Sequence, residues 1–252
     1  MLGNRGARAM PGAMSAAPTS PLALPATAQV AQSRFGAERQ VLLTVDDALP
    51  DPSAVVAIAA RHRYRPIGPF YPGVRAAVSE AVAMPLVAPL LGRLTEAFAL
   101  AAPPSYLECY LSLVTAAPAA LAPIQRLPHF DGVEPERLAV LLYLDAAERG
   151  GTAFYRQRAT GFESVTADRY ASYRAALEAG VAEHGLPAGY IAADNPLFEQ
   201  VHAVEGRFNR MIVYRGNTLH CAALAPDFIP SCDPAAGRLT LNLFLRASSA
   251  ET

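Results

Sequence analysis

Three residues of this sequence could hold one metal ion. His129 and Asp131 stand two apart in Pro128-His129-Phe130-Asp131, and in an extended strand residues at that spacing project from the same face. A third candidate ligand, His220, lies far downstream in Gly216-Asn217-Thr218-Leu219-His220-Cys221. Two histidines and one carboxylate cover one face of an octahedron around ferrous iron and leave three positions for substrate and O2, which is oxidative chemistry. His62, His184 and His202 fall outside this set. His184 ends a helical pattern before Gly185, and His202 lies in an insertion. Cys221 alternates to the side of its strand opposite His220.

Composition narrows the partners. The 252 residues carry a formal net charge of -1 and are 52% hydrophobic, enough for a sizeable core. A near-neutral chain lacks the basic surface that nucleic-acid binding needs to release phosphate counterions, so no nucleic-acid partner is expected. All 21 basic residues are arginine, so any anion held by a side-chain cation is held by a guanidinium. The three cysteines, Cys109, Cys221 and Cys232, show no CxxC spacing. They suggest neither a disulfide framework nor a zinc ribbon, and a reducing cytoplasm is the expected compartment. Pro, Arg, Asp or Glu interrupts every apolar run before the roughly 18 residues of a membrane span, so no membrane partner is expected.

Positioning the three ligands is a matter for the second part of the chain. Residues 1–38, rich in Ala, Pro, Ser and Thr, read as a disordered leader, and residues 39–252 as a single domain. Val41 to Val45 reads as a strand and Pro52 to His62 as a helix. The loop from Arg65 to Arg75 carries three prolines, a rigid display that suits a ligand rim. Helical spacing runs from Ala76 to Ala101, broken at Pro85 and Pro89. From Tyr106 short strands alternate with turns, the sign of an all-β sandwich or barrel. They are placed at 106–115, 124–131, 138–144, 152–155, 208–214, 218–222 and 239–246, with a helix over 167–183 inside an insertion of about residues 156–206. Helices first and a sheet afterwards argue an α+β fold.

The region from Tyr106 to Ala247 resembles the double-stranded β-helix core of Fe(II)/2-oxoglutarate-dependent oxygenases, closest to their prolyl-hydroxylase-like branch. The matching elements occur in order: His129-Phe130-Asp131, Leu141-Leu142-Tyr143-Leu144-Asp145, Gly150-Gly151-Thr152-Ala153-Phe154, His220, and Gly237-Arg238-Leu239-Thr240. The resemblance implies a jelly-roll core with N-terminal helices packed on it and a helical insertion. It also implies Fe(II) on His129, Asp131 and His220, with 2-oxoglutarate and O2 as co-substrates and ascorbate as a stimulant. Arg238 matches the arginine of the last core strand that pairs with the distal carboxylate of 2-oxoglutarate, and a guanidinium can grip a carboxylate bidentately. Tyr143 matches the phenol that donates to the same carboxylate, and Thr240 follows Arg238 on the same strand face. Because Asp131 is present where related halogenases have a small residue, hydroxylation is the implied outcome. The stretch from His220 to Arg238 is longer than usual for that branch. Arg246 is the competing arginine on the same strand face.

The substrate is expected to be a small molecule, an amino acid or a peptide, and a homodimer is compatible with the sequence. Tyr71, Arg75, Gln125, Arg156 and Asn217 are the candidate substrate contacts, with Arg158 beside them. Two other readings stand open: a non-catalytic jelly-roll binding module, and a cupin-like metalloenzyme that takes no 2-oxoglutarate.

Overall fold

The computed structural model describes residues 20–249 apart from residues 192 and 226. Among these residues, ten strands form two antiparallel sheets. β1 (Gln29–Phe35), β2 (Gln40–Asp46), β8 (Met211–Arg215), β5 (Arg137–Tyr143), β10 (Leu239–Arg246), β4 (Ser105–Val114) and β3 (Gly73–Ala77) lie in that order in the large sheet. The small sheet runs β7 (Phe198–Val204), β6 (Gly150–Gln157), β9 (His220–Leu224). An isolated antiparallel bridge from His129 to His220 adds one more segment to its edge. From β4 onward the chain crosses repeatedly between the two sheets in the course of a jelly roll.

The strand sequences explain the layering. β5, Arg-Leu-Ala-Val-Leu-Leu-Tyr, is apolar on both faces because both are covered. Leu138, Val140 and Leu142 meet Val55, Leu86, Leu94 and Phe98 from the N-terminal helical region, whereas Ala139, Leu141 and Tyr143 meet Phe154, Tyr214 and Phe244 between the sheets. A third core packs Tyr155, Phe198 and Cys221 of the small sheet against Tyr173 and Leu177 of α4 (Tyr170–His184), with Ile191 beyond it. Four layers result: helices, large sheet, small sheet, α4.

The N-terminal helices are short. α1 (Pro52–Ala59) opens with Pro52 after Asp51, whose carboxylate accepts from the Ala54 N–H at 2.9 Å. α2 (Glu80–Ala83) and α3 (Leu91–Ala97) are separated by two single turns that begin at Met84-Pro85 and Ala88-Pro89. A proline cannot donate in the interior of a helix but fits its first turn. The helical spacing expected from Ala76 therefore starts later, since Ala76 and Ala77 finish β3.

Four expectations need correction. Order begins upstream of residue 39, because β1 lies within the expected leader and pairs with β2 from Gln29 to Phe35; residues 1–19 lie outside the described residues. The expected strand over 124–131 is a single 3-10 turn, Pro123–Arg126, followed by the His129 bridge. Pro123 and Pro128 supply no ladder N–H there. The insertion is not wholly helical, because it contains β7, the edge strand paired with β6. The loop from Arg65 ends in a strand: Arg65 bridges Arg75, and Gly73 to Ala77 pairs with Val114 to Tyr110.

The β1–β2 turn is fastened to the small sheet by a buried carboxylate. Glu163 accepts from the N–H groups of Ala37 (2.8 Å) and Glu38 (3.0 Å) and pairs with Arg156. Gly36 turns there at φ +67°, and a Cβ would lie 2.0 Å from Glu163 Oε2. Only glycine meets both conditions.

Candidate metal centre

His129 and His220 face each other across the bridge, each N–H donating to the other's carbonyl at 2.8 Å. The backbone thus fixes their rings 4.3 Å apart. The Asp131 N–H donates to the Gly216 carbonyl at 2.7 Å, and Gly216 N–H donates to Arg137, which holds the segment against the start of β5. One Asp131 carboxylate oxygen lies 3.8 Å from His129 Nε2 and the other 3.6 Å from His220 Nε2. One ligand atom from each of the three residues falls within a 4.8 Å group.

The protonation chemistry suits a cation. His220 Nδ1 lies 2.9 Å from the Thr218 carbonyl. A carbonyl can only accept, so Nδ1 carries a proton and Nε2 is the nitrogen turned toward Asp131. His129 is held well below the ordinary histidine range, first by desolvation and then by the charges of His220 and Arg75. It is neutral and able to ligate near pH 7. Its ring is 52% accessible although protein crowds it, the combination expected of a cavity wall. Desolvation raises the Asp131 carboxyl, and its buried Oδ2 has no hydrogen-bond partner. A buried acceptor left unpaired is costly. Two imidazole nitrogens and that oxygen make a donor set that fits ferrous iron.

Beside this group lies a second polar cluster. Arg238, 4% exposed, stands immediately before β10 and donates from Nη2 to the Gly151 carbonyl at 2.7 Å, while its Nε is buried without a partner. It forms no ion pair among the described residues. The Tyr143 hydroxyl lies 2.7 Å from Thr152 Oγ1, and Arg238 Cζ is 5.9 Å from the Tyr143 ring. Thr240 is register partner to Tyr143 on one side and Ser112 on the other, and Ser112 pairs with Arg75. Its hydroxyl donates to Asn242 Oδ1 at 2.8 Å. Burial pushes the Tyr143 phenol up to about 12, so it stays a donor throughout the neutral range. The long stretch after His220 is a loop between β9 and β10, closed by a turn in which Gly237 N–H donates to Asp233. Arg246, at the far end of β10, is exposed.

The remaining candidates separate. Arg75 Cζ sits 4.1 Å from the Tyr71 ring and 5.1 Å from the Tyr110 ring. Gln125 instead caps its own turn, accepting from Ala122 N–H at 2.9 Å. Arg156 is tied to Glu163 and Glu199, and Arg158 to Asp194. Asn217 lines a surface recess with Glu38, Arg215 and Phe98, under the β1–β2 hairpin. His202 stacks on Phe35 at 4.9 Å, outside the metal-ligand group. Cys221 lies in the core beneath α4, its Sγ 3.9 Å from the Ile191 carbonyl. Ser112 and Tyr110 belong to none of the motifs, and Thr152 stands in one, Gly150 to Phe154, without a role of its own. The alternation of β4, with Leu111 and Leu113 facing the helices, is the signal that points Tyr110 and Ser112 inward.

No helix among the described residues is long and apolar enough to cross a membrane. Similar solved structures include HygX from Streptomyces hygroscopicus with nickel and 2-oxoglutarate bound, at 12% identity and a TM-score of 0.46, covering 82% of this chain and 83% of that one. AviO1 from Streptomyces viridochromogenes Tue57 is 17% identical at a TM-score of 0.47, covering 87% and 93%. A Pseudomonas putida prolyl-4-hydroxylase is 17% identical at 0.44, covering 82% and 93%. No curated protein matches the sequence. Residues 26–245 match the profile of DUF6445, described as a family of unknown function, and the chain belongs to that family.

Proposed function

We propose that this protein is an Fe(II)- and 2-oxoglutarate-dependent dioxygenase that hydroxylates a C–H bond of a small-molecule or peptide substrate, with release of succinate and CO2. The observation that carries this reading is the pairing of two features in one jelly roll. His129, Asp131 and His220 converge within 4.8 Å, and the buried Arg238 has no carboxylate partner among the described residues. An arginine taken out of water without an anion is costly. A dicarboxylic co-substrate resolves that cost, whereas a metalloenzyme that took no 2-oxoglutarate would leave it standing.

Iron bound here would supply the oxidising chemistry, with O2 and 2-oxoglutarate consumed together. The chain's own residues do the rest. His220, oriented through Thr218, and His129, kept neutral, offer nitrogen lone pairs, and Asp131 offers a carboxylate oxygen. Arg238 binds the distal carboxylate, and Tyr143, protonated at neutral pH, donates to the same anion with Thr152 holding its hydroxyl. Thr240 joins that contact by turning its hydroxyl from Asn242. Phe154 and Tyr214 flank His220, with ring centroids at 6.4 and 4.8 Å, and keep water from that side of the site.

Calorimetric titration of 2-oxoglutarate into Mn(II)-loaded protein tests the binding half of this reading. Micromolar binding that needs the metal and weakens about tenfold or more in Arg238→Gln is expected from loss of a charge-assisted pair. Absence of metal-dependent binding contradicts the reading.

A further inference from the structure

Arg75 is left without a task by the site as described. It lies on β3, its neighbour Ala76 belongs to the core beneath the helices, and Arg75 therefore projects from the opposite, inner face toward the small sheet. Tyr71 and Tyr110 hold its guanidinium between their rings. Its Nε is buried without a partner, as are the hydroxyls of Tyr71 and of its register partner Ser112. The nearby Arg137 is neutralised by Glu108 at 2.9 Å, whereas Arg75 has no carboxylate within ion-pair reach among the described residues. A built, partly buried and uncompensated guanidinium beside two buried hydroxyls is an anion site.

The Arg75 and Arg238 guanidinium groups are carried by different strand segments, because β3 and β10 are separated by β4, two strand spacings or roughly 10 Å between backbones. Register places Arg75 in one row across the large sheet with Ser112, Thr240 and Tyr143, the row that carries the candidate co-substrate contacts. Resting on the oxygenase reading above, we propose that Arg75 is the specificity residue of the substrate site. It seats an oxyanion of the substrate, a carboxylate or a phosphate ester, while the Tyr71 ring and the exposed Phe70 beside it receive an apolar body. The acceptor is thus a small anionic, partly apolar molecule.

The test uses Mn(II)-loaded full-length protein, with and without the 2-oxoglutarate isostere N-oxalylglycine, and titrates phenylacetate, phenyl phosphate and the neutral phenylacetamide. The proposal expects at least one anion to bind in the presence of N-oxalylglycine, with the amide tenfold weaker or worse. It expects Arg75→Gln to lose about tenfold or more in that affinity and Arg75→Lys to fall between, with Arg238→Gln moving N-oxalylglycine instead. Whichever anion binds more tightly identifies the carboxylate or the phosphate ester. If Arg75→Gln does not fold, the Arg75→Lys loss decides. Equal binding of amide and anions, no binding of any probe, unchanged affinity in both Arg75 variants, or loss confined to Arg238→Gln overturns the proposal. A protein that ignores N-oxalylglycine but binds anions through Arg75 overturns the oxygenase reading and keeps the anion site.

Discussion

Arg238 and Gly151 join the two sheets at the inner end of the barrel: the guanidinium, delivered by the turn before β10, donates to the Gly151 carbonyl on β6 at 2.7 Å. Gly151 itself has no room for a side chain. A Cβ there would lie 1.8 Å from the Val204 carbonyl oxygen and 2.8 Å from the Gly206 nitrogen, both backbone atoms that cannot swing aside.

Gly151→Ala is therefore expected to separate β6 from β7 and to destabilise the protein by about 3 kcal/mol, the upper range for overpacking. The same variant should weaken 2-oxoglutarate, because the anchor of Arg238 moves. Denaturant unfolding followed by far-UV circular dichroism measures the first effect. A midpoint equal to wild type would contradict the packing argument.

Tyr143→Phe keeps the ring among Leu141, Phe154 and Phe244 and removes only the hydroxyl. Losing one neutral hydrogen bond predicts a rise of about five- to tenfold in the 2-oxoglutarate concentration for half-maximal turnover. Because burial holds the phenol up to about 12, the wild-type value should show no titration attributable to Tyr143 between pH 6 and pH 9, about three units below that value. A wild-type transition in that window that disappears in the variant would count against the assignment.

Glu163→Gln removes the charge that Ala37, Glu38 and Arg156 share. Hydrogen bonds to a buried charge are worth more than neutral ones, and the loss is expected to cost about 2 kcal/mol, a lowering of Tm by about 4–8 °C for a domain of this size. Hydrogen exchange should accelerate first at the β1–β2 turn. Calorimetry with exchange read by mass spectrometry checks both.

Asp46 and Arg210 tie β2 to the turn before β8 at 2.6 Å. The hydrogen bond from Arg210 is the main reason the Asp46 carboxyl lies below its ordinary 3.8. A depressed folded-state value means the stabilisation is fully present above about pH 4 and is lost as pH falls through the lower folded value. Asp46 is 43% exposed at its side chain, so solvent screening limits the contribution to about 1 kcal/mol. Asp46→Asn should be less stable than wild type at pH 7 and equal to it at strongly acid pH. A difference that persists unchanged in acid would contradict the electrostatic account.

Much of this arrangement was legible in residue types. The period-two alternation of β10 and the nearly continuous apolar run of β5 announce strands, and the ordered set His129, Asp131, His220, Arg238 announces the site. What the sequence concealed were features decided by contacts across the fold. β1, Gln-Val-Ala-Gln-Ser-Arg-Phe, is mostly exposed and is a strand because β2 offers it an edge, which no local pattern encodes. The His129 segment, with prolines on either side, is positioned by a single bridge rather than a ladder. Arg156 and Arg75 look alike as isolated arginines. Only the fold gives Arg156 two carboxylates and leaves Arg75 with two aromatic rings.

The most direct test of the central claim is anaerobically prepared protein given Fe(II), 2-oxoglutarate, ascorbate and O2, with succinate followed in wild type and in His129→Ala, Asp131→Ala, His220→Ala and Arg238→Gln. Succinate from wild type, abolished in the three ligand variants and restored in Arg238→Gln only at high 2-oxoglutarate, is the predicted result. No succinate from metal-loaded wild type, or succinate that survives loss of His129 and His220, would contradict the account.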